Sequence, residues 1–218
     1  MTTYLLREGD NVVIASHNSN KICEIKALLE PYNISATSAH ELGLAEPLET
    51  GKTFRENAAI KSRSAQIATG LPSLADDSGL EVNDLNGFPG VYSSDWGGPN
   101  RDFVSAMQRV KDELVMKGCW PSEGPVACFS TTLSFSWTDG SIKFFVGKVY
   151  GRLVWPPRGT SGFGYDPMFK PDGYNKTFAE MNREEKSGLN TRCNTALSHR
   201  ARALELFIND CVSKVRTF

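Results

Sequence analysis

The tetrapeptide Asp76-Asp77-Ser78-Gly79 sets two carboxylates and a hydroxyl side by side. Hard divalent cations take oxygen ligands and keep part of their hydration shell, so one of these carboxylates, joined by Glu49, has the chemistry to hold Mg2+ and activate water. The same residues also suit a polar β-turn between two short strands, and both readings stay open at this point. A second candidate is the polar run Ser16-His17-Asn18-Ser19-Asn20-Lys21, which follows a short apolar run and opens a helical pattern. Backbone N–H groups at a helix start, with a lysine beside them, attract phosphate oxygens. An ordinary capped helix with a solvated lysine has the same sequence signature.

Gly162-Phe163-Gly164-Tyr165-Asp166-Pro167 contains a G-x-G pattern, but Pro167 follows too soon for a dinucleotide fingerprint. It reads either as a loop that presents Phe163 and Tyr165 to a planar ring or as a Gly-rich turn with core aromatics. Stacking on a nucleobase would be worth about 1–3 kcal/mol. Glu184-Glu185-Lys186 and Ser198-His199-Arg200 are polar clusters; His199 and Arg200 either donate hydrogen bonds to a base or decorate a solvated helix start. His17, His40 and His199 are dispersed without metal-ligand spacing, and no G-x-S-x-G elbow is present.

These residues need elements to hold them. Residues 11–15 form a β-branched run, and Ile22, Ile25, Leu28 and Leu29 recur at helical spacing after Lys21. Thr53-x-x-Glu56 is a capping box for a second helix, which Gly70 and Pro72 close. A third helix is expected over about 101–117, with Phe103, Met107, Val110 and Leu114 inward and Gly118 as its stop. Residues 126–137 and 142–150 are β-prone runs joined through Asp139-Gly140, a strong hairpin signal, so the sheet is expected to be partly antiparallel. A last helix from Ser198 carries Ala201, Leu204, Phe207, Ile208 and Cys211 on one face. The expected class is mixed α/β around a twisted sheet, not a doubly wound parallel fold.

Composition narrows the function classes. The 218 residues are 40% apolar and 22% charged, enough for a sizeable core in one domain. Lys+Arg of 24 against Asp+Glu of 25 gives a net charge of −1, without the basic excess of a long nucleic-acid footprint. Direct nucleic-acid binding is therefore not expected. Cys23, Cys119, Cys128, Cys193 and Cys211 contain no C-x-x-C pair and suggest reduced packing thiols. No run approaches the roughly 18 apolar residues of a membrane span, and the expected location is the cytoplasm.

Taken in order, Ser16–Lys21, Glu49-Thr-Gly51, Phe54-Arg-Glu-Asn-Ala58, Ala75-Asp-Asp-Ser-Gly-Leu80, Pro89-Gly-Val-Tyr-Ser93, Gly162–Pro167, Glu184-Glu-Lys186 and Ser198-His-Arg200 make the chain resemble the inosine triphosphate pyrophosphatases, also called non-canonical purine NTP pyrophosphatases. The match runs from about residue 11 to residue 212. It implies an elongated, mixed α/β fold over 1–218, a single domain whose two lobes enclose a nucleotide-binding cleft, a Mg2+-dependent reaction and a homodimer. Residues Ser16, His17, Asn18, Ser19, Asn20 and Lys21, with Lys61 and Ser78, would then hold the triphosphate. Glu49 and Asp77 would hold the metal, Asp77 would be the general base, and Asp76 would support them. Phe163, Gly164, Tyr165, Asp166, Lys186, His199 and Arg200 would read the base.

The implied reaction converts ITP, dITP or XTP to the monophosphate and pyrophosphate, clearing deaminated purines from the nucleotide pool. Hypoxanthine and xanthine present O6 as an acceptor where adenine presents an N6 donor, so a donor in the base site disfavours adenine. Two other classes make different products: a non-catalytic nucleotide-binding regulatory module makes none, and a stepwise phosphatase releases orthophosphate first. One departure from the family pattern is the longer stretch 187–197, which reads as a surface loop.

Overall fold

The β-branched start of the chain forms strand β1 (Asn11–Ile14), and the polar run after it turns into helix α1 (Ser19–Leu29). The structure is a computed structural model and describes residues 5–187 and 196–213. Strand β2 (Ser35–Ser38) follows, then helix α2 (Phe54–Thr69). Both halves of the predicted Thr53–Glu56 capping box are formed, and Gly70 closes α2 at φ 69°, a conformation that strains any residue with a Cβ. Strand β3 (Ser73–Val82) leads towards helix α3 (Phe103–Met116), which Asp102 caps. The two expected β runs are β4 (Val126–Ser136) and β5 (Ile142–Leu153); β6 (Phe169–Pro171), the short α4 (Arg183–Ser187) and α5 (His199–Cys211) complete the order.

The strands form one six-stranded sheet in the order β2-β1-β3-β4-β5-β6. Strand β1 runs parallel to both β2 and β3, whereas β5 and β6 are antiparallel. The fold is therefore mixed α/β, as the helix-separated first strands and the hairpin signal imply.

One local expectation is corrected. Asp76–Gly79 is not a turn between two short strands: β3 runs unbroken through it for 10 residues. The Ser-Gly pair suggested a turn, but a Cβ on Gly79 would sit 2.3 Å from both the Gly90 carbonyl oxygen and Ser93 Oγ. The glycine is there for close backbone approach inside a strand. Consecutive strand residues project to opposite faces, so Asp76 and Asp77 point different ways.

The chain partitions into two compact units: Met1–Asp77, Thr132–Gly147 and Arg200–Phe218 make the first, Ser78–Thr131 and Lys148–His199 the second. In the first, Val13, Ala15, Ala65 and Ala75 pack together. Phe207 of α5 also lies 4.8 Å from Phe135 and 5.7 Å from Phe145, ring centre to ring centre. In the second, Leu80, Val110, Leu114, Phe129, Phe169 and Phe178 belong to one larger core. Among the described residues, no helix is long and apolar enough to cross a membrane. Cys23, Cys119, Cys128 and Cys211 are all outside disulfides, and Cys193 lies outside the described residues. So does 188–195, most of the stretch predicted as an added surface loop; beside it, the Ser198 N–H donates to the Lys186 carbonyl at 2.9 Å.

Candidate active site

In the first unit, two helices converge on Asp76. From α1, Lys21 Nζ lies 3.0 Å from Asp76 Oδ2. From the first turn of α5, Arg200 Nε and Nη2 donate to the same oxygen at 3.2 and 3.0 Å, while Nη1 pairs with Glu24. Asp76 is 2% exposed and Arg200 1%, so these are buried charges that exist only because they are paired. A solvated helix start is thereby excluded for Arg200.

The other face of β3 carries the second group. Lys61 Nζ on α2 lies 2.9 Å from Asp77 Oδ1 and 3.3 Å from Glu49 Oε1. Lys61 and Asp77 are buried, each 8% exposed, and Glu49 reaches them from the loop before α2. That loop is pinned: the Gly51 N–H donates to Asn57 Oδ1 at 2.8 Å. A Cβ on Gly51 would meet Asn57 Oδ1 and Glu56 Cβ, each at 2.5 Å, so glycine alone allows this closeness.

The loop Ser16–Lys21 is organised around Asn18, whose Oδ1 accepts the Asn20 and Lys21 N–H groups at 3.0 and 3.2 Å. Ser16 Oγ accepts from the Asn18 N–H at 3.2 Å. Asn18, Ser19 and Asn20 are exposed, as a phosphate-binding turn requires, whereas His17 Nε2 is bonded to the Leu44 carbonyl oxygen at 2.7 Å.

In the second unit, the Asp166 carboxylate organises the glycine-rich loop: Oδ2 accepts the Phe163 N–H at 3.0 Å and pairs with Lys186 Nζ. Gly162, at φ 78°, would push a Cβ to 2.1 Å from the same oxygen. Lys186 Nζ lies 5.7 Å from the centre of the Phe163 ring, and both residues are partly exposed. Gly164 and Ser78, the latter at the start of this unit's part of β3, are also partly exposed. Tyr165 corrects an expectation. Its ring is 2% exposed, packs edge-on against Phe103, and its hydroxyl donates to the Ser93 carbonyl at 2.8 Å. It is a core aromatic with a satisfied hydroxyl and has no face to offer a base, which leaves Phe163 for that task. His199 is buried and stacked on Phe129 at 5.0 Å.

The two adjacent aspartates are electrostatically unlike. Burial would raise the Asp76 carboxyl, but Lys21, Arg200 and Lys61 outweigh it and hold the group well below the usual carboxylate range. At Asp77 burial wins over Lys61 and Lys21, and its carboxyl is pushed above the ordinary value. Burial draws Lys21 below an ordinary lysine despite Asp76. At Lys61 burial is outweighed by Asp77, Asp76 and Glu49, which hold its ammonium more firmly protonated than usual. Neighbouring acids whose environments push them in opposite directions are candidates for different roles in a site.

A divalent cation fits the donor set. Glu49 and Asp77 are hard oxygen donors from different elements that already converge on one cation, the Lys61 ammonium. Among the described residues, no three His, Cys, Asp or Glu side chains cluster as metal ligands, so two carboxylates would be supplemented by water and phosphate. Mg2+ is commonly bound in that way. Sequence reasoning missed Glu24, which lies three residues after Lys21 on the same helix face. Acid and base at that spacing are usually a solvent pair, and only the buried Arg200 distinguishes this case. It also assigned no role to Asn57, which holds Gly51 six residues earlier, or to Ser93, whose partner Tyr165 is 72 residues away.

A sequence profile of the Ham1 family matches residues 12–210. The chain is 52% identical over 204 residues to a dITP/XTP pyrophosphatase of Agrobacterium fabrum, covering 92% of this chain and 95% of that protein. It is 50% identical over 204 residues to the dITP/XTP pyrophosphatase of Rhizobium meliloti, with the same coverage of both chains. The solved structure of a HAM1 protein from Coxiella burnetii superposes with a TM-score of 0.79 at 36% identity, covering 92% of this chain and 97% of that one. With a family profile and relatives of about half identity both spanning most of its length, this chain belongs to the Ham1 family.

Proposed function

We propose that this chain hydrolyses the non-canonical purine nucleoside triphosphates dITP, ITP and XTP between the α and β phosphates, releasing the nucleoside monophosphate and pyrophosphate. The chain is a nucleoside triphosphate pyrophosphatase, a hydrolase of acid anhydrides, and its relatives at about half identity carry that activity in their names. The observation that carries the mechanism is the geometry of β3, where Asp76 is buried against Lys21 and Arg200 while Asp77 meets Lys61 beside Glu49. Asp77 orients the attacking water and takes its proton. Asp76 stays ionised and holds Lys21 at the phosphate-binding turn. Lys21 and Lys61 offset the negative charge that builds on the leaving pyrophosphate, and Ser16–Asn20 with Ser78 hold the triphosphate oxygens. Glu49 and Asp77 would hold Mg2+, which when bound neutralises phosphate oxygens.

Base choice falls to the second unit. Phe163 offers a face to the purine and Lys186 a donor to O6, while Asp166 sets the loop; adenine would bring an N6 donor against a donor. An unmet buried hydrogen-bonding group costs about 1–3 kcal/mol, roughly a fivefold to hundredfold preference. Gly164, Tyr165 and His199 support this loop and the core beneath it, and Arg200 holds Asp76 in place. We place the enzyme in the cytoplasm as a homodimer that clears deaminated purines from the nucleotide pool before polymerases use them.

The test is product analysis after separate incubation with ITP, dITP, XTP, ATP and GTP and Mg2+. Monophosphate plus pyrophosphate, chiefly from the first three, is expected. Diphosphate plus orthophosphate would overturn the bond assignment, and stoichiometric binding without turnover would make the chain a nucleotide-binding module.

A further inference from the structure

Lys61 holds both carboxylates assigned to the metal. Glu49 and Asp77 come from a loop and a strand, yet each has an oxygen within 3.3 Å of this one nitrogen. The ammonium is buried and donates to Asp77 Oδ1 at 2.9 Å. A divalent cation seated on the same oxygens would meet this positive charge at close range in a poorly solvated place. The two cations therefore compete for one acidic pair.

We propose that Lys61 is a placeholder cation: it neutralises Glu49 and Asp77 while no metal is bound, and it must leave at least one of them for the metal to enter. A triphosphate gives the displaced ammonium a new anionic partner, so metal and nucleotide bind cooperatively, and metal alone binds weakly. By linkage, each then raises the affinity for the other by the same factor. This inference rests on Glu49 and Asp77 being the metal ligands, but it does not depend on turnover.

The test uses Mn2+ without nucleotide, with free Mn2+ counted by electron paramagnetic resonance. Lys61→Met keeps the stem and removes the charge, and it should bind Mn2+ at least about tenfold more tightly than the unaltered protein, with Glu49→Gln abolishing the gain. A folded Lys61→Met protein with equal or weaker Mn2+ affinity overturns the proposal. Should that variant fail to fold, the unaltered protein gives a second readout. Reductive methylation of Lys61, followed by peptide mass spectrometry, should speed up severalfold when Mn2+ is added; an unchanged or slower rate overturns the proposal. Pyrophosphate production from ITP by the unaltered protein, with no tighter metal binding in Lys61→Met, leaves the enzymatic function standing and removes the placeholder. Tighter binding in a chain without turnover does the reverse.

Discussion

Replacing Asp76 with Asn keeps the size of a buried side chain and deletes its charge. Lys21 and Arg200 then face a neutral amide, and the Asp76 half of the charge balance around Arg200 is lost. Removing one partner of a buried pair costs about 3–5 kcal/mol, because the other charge stays in a poorly solvated place. For a chain of 218 residues each kcal/mol lowers the melting temperature by about 2–4 °C, so a fall of roughly 6–20 °C is expected by calorimetry or circular dichroism at neutral pH. The pH dependence follows from the depressed carboxyl. Its contribution to stability is complete above the unfolded value of 3.8 and is lost as pH falls through the much lower folded value. The gap between Asp76→Asn and the unaltered protein should therefore persist from neutral pH down to about 4 and narrow only below that. A melting temperature within about 2 °C of normal at pH 7, or a gap that closes between pH 7 and 5, would refute the ion-pair account of this residue.

Asp77→Asn should fold while losing at least about a hundredfold in kcat, since it removes both the proton acceptor and a metal ligand; near-normal turnover would end the general-base assignment. Gly51→Ala forces a Cβ against Asn57 and Glu56, and should weaken Mn2+ binding more than it lowers the melting temperature, as the loop that carries Glu49 shifts. Phe163→Ala should raise KM for ITP by about 5–100-fold, the equivalent of one stacked base, with a smaller change in kcat; an unaltered KM would move the base away from this ring.

Local signals were the most legible part of the fold. The Thr53–Glu56 capping box, the Gly70 stop and the Asp139-Gly140 hairpin each lie within a few residues of the chemistry that specifies them. Asp76–Gly79 was misread because a turn and a glycine-bearing strand share the same small polar residues; what separates them is Gly90 and Ser93, more than ten residues away. The aspartates and lysines could be nominated from their types, yet the division of labour between Asp76 and Asp77 depends on which helix faces each side of β3. Tyr165 shows the same limit, since its hydroxyl partner Ser93 lies 72 residues earlier.

Arg200 and its partners are far apart in the order of synthesis. The guanidinium that completes Asp76 lies 124 residues after it, and 176 residues after Glu24. Chains emerge from the ribosome N-terminus first, so Glu24 and Asp76 are both made before the guanidinium that pairs with them. Such long-range closure is slow to form. It also means that a polypeptide cut short ahead of its last helix retains every residue assigned to phosphate and metal but holds Asp76 with Lys21 and without the guanidinium that buries it. Prematurely terminated copies should then be poor catalysts and easy prey for proteases, a built-in check that only finished chains reach the nucleotide pool.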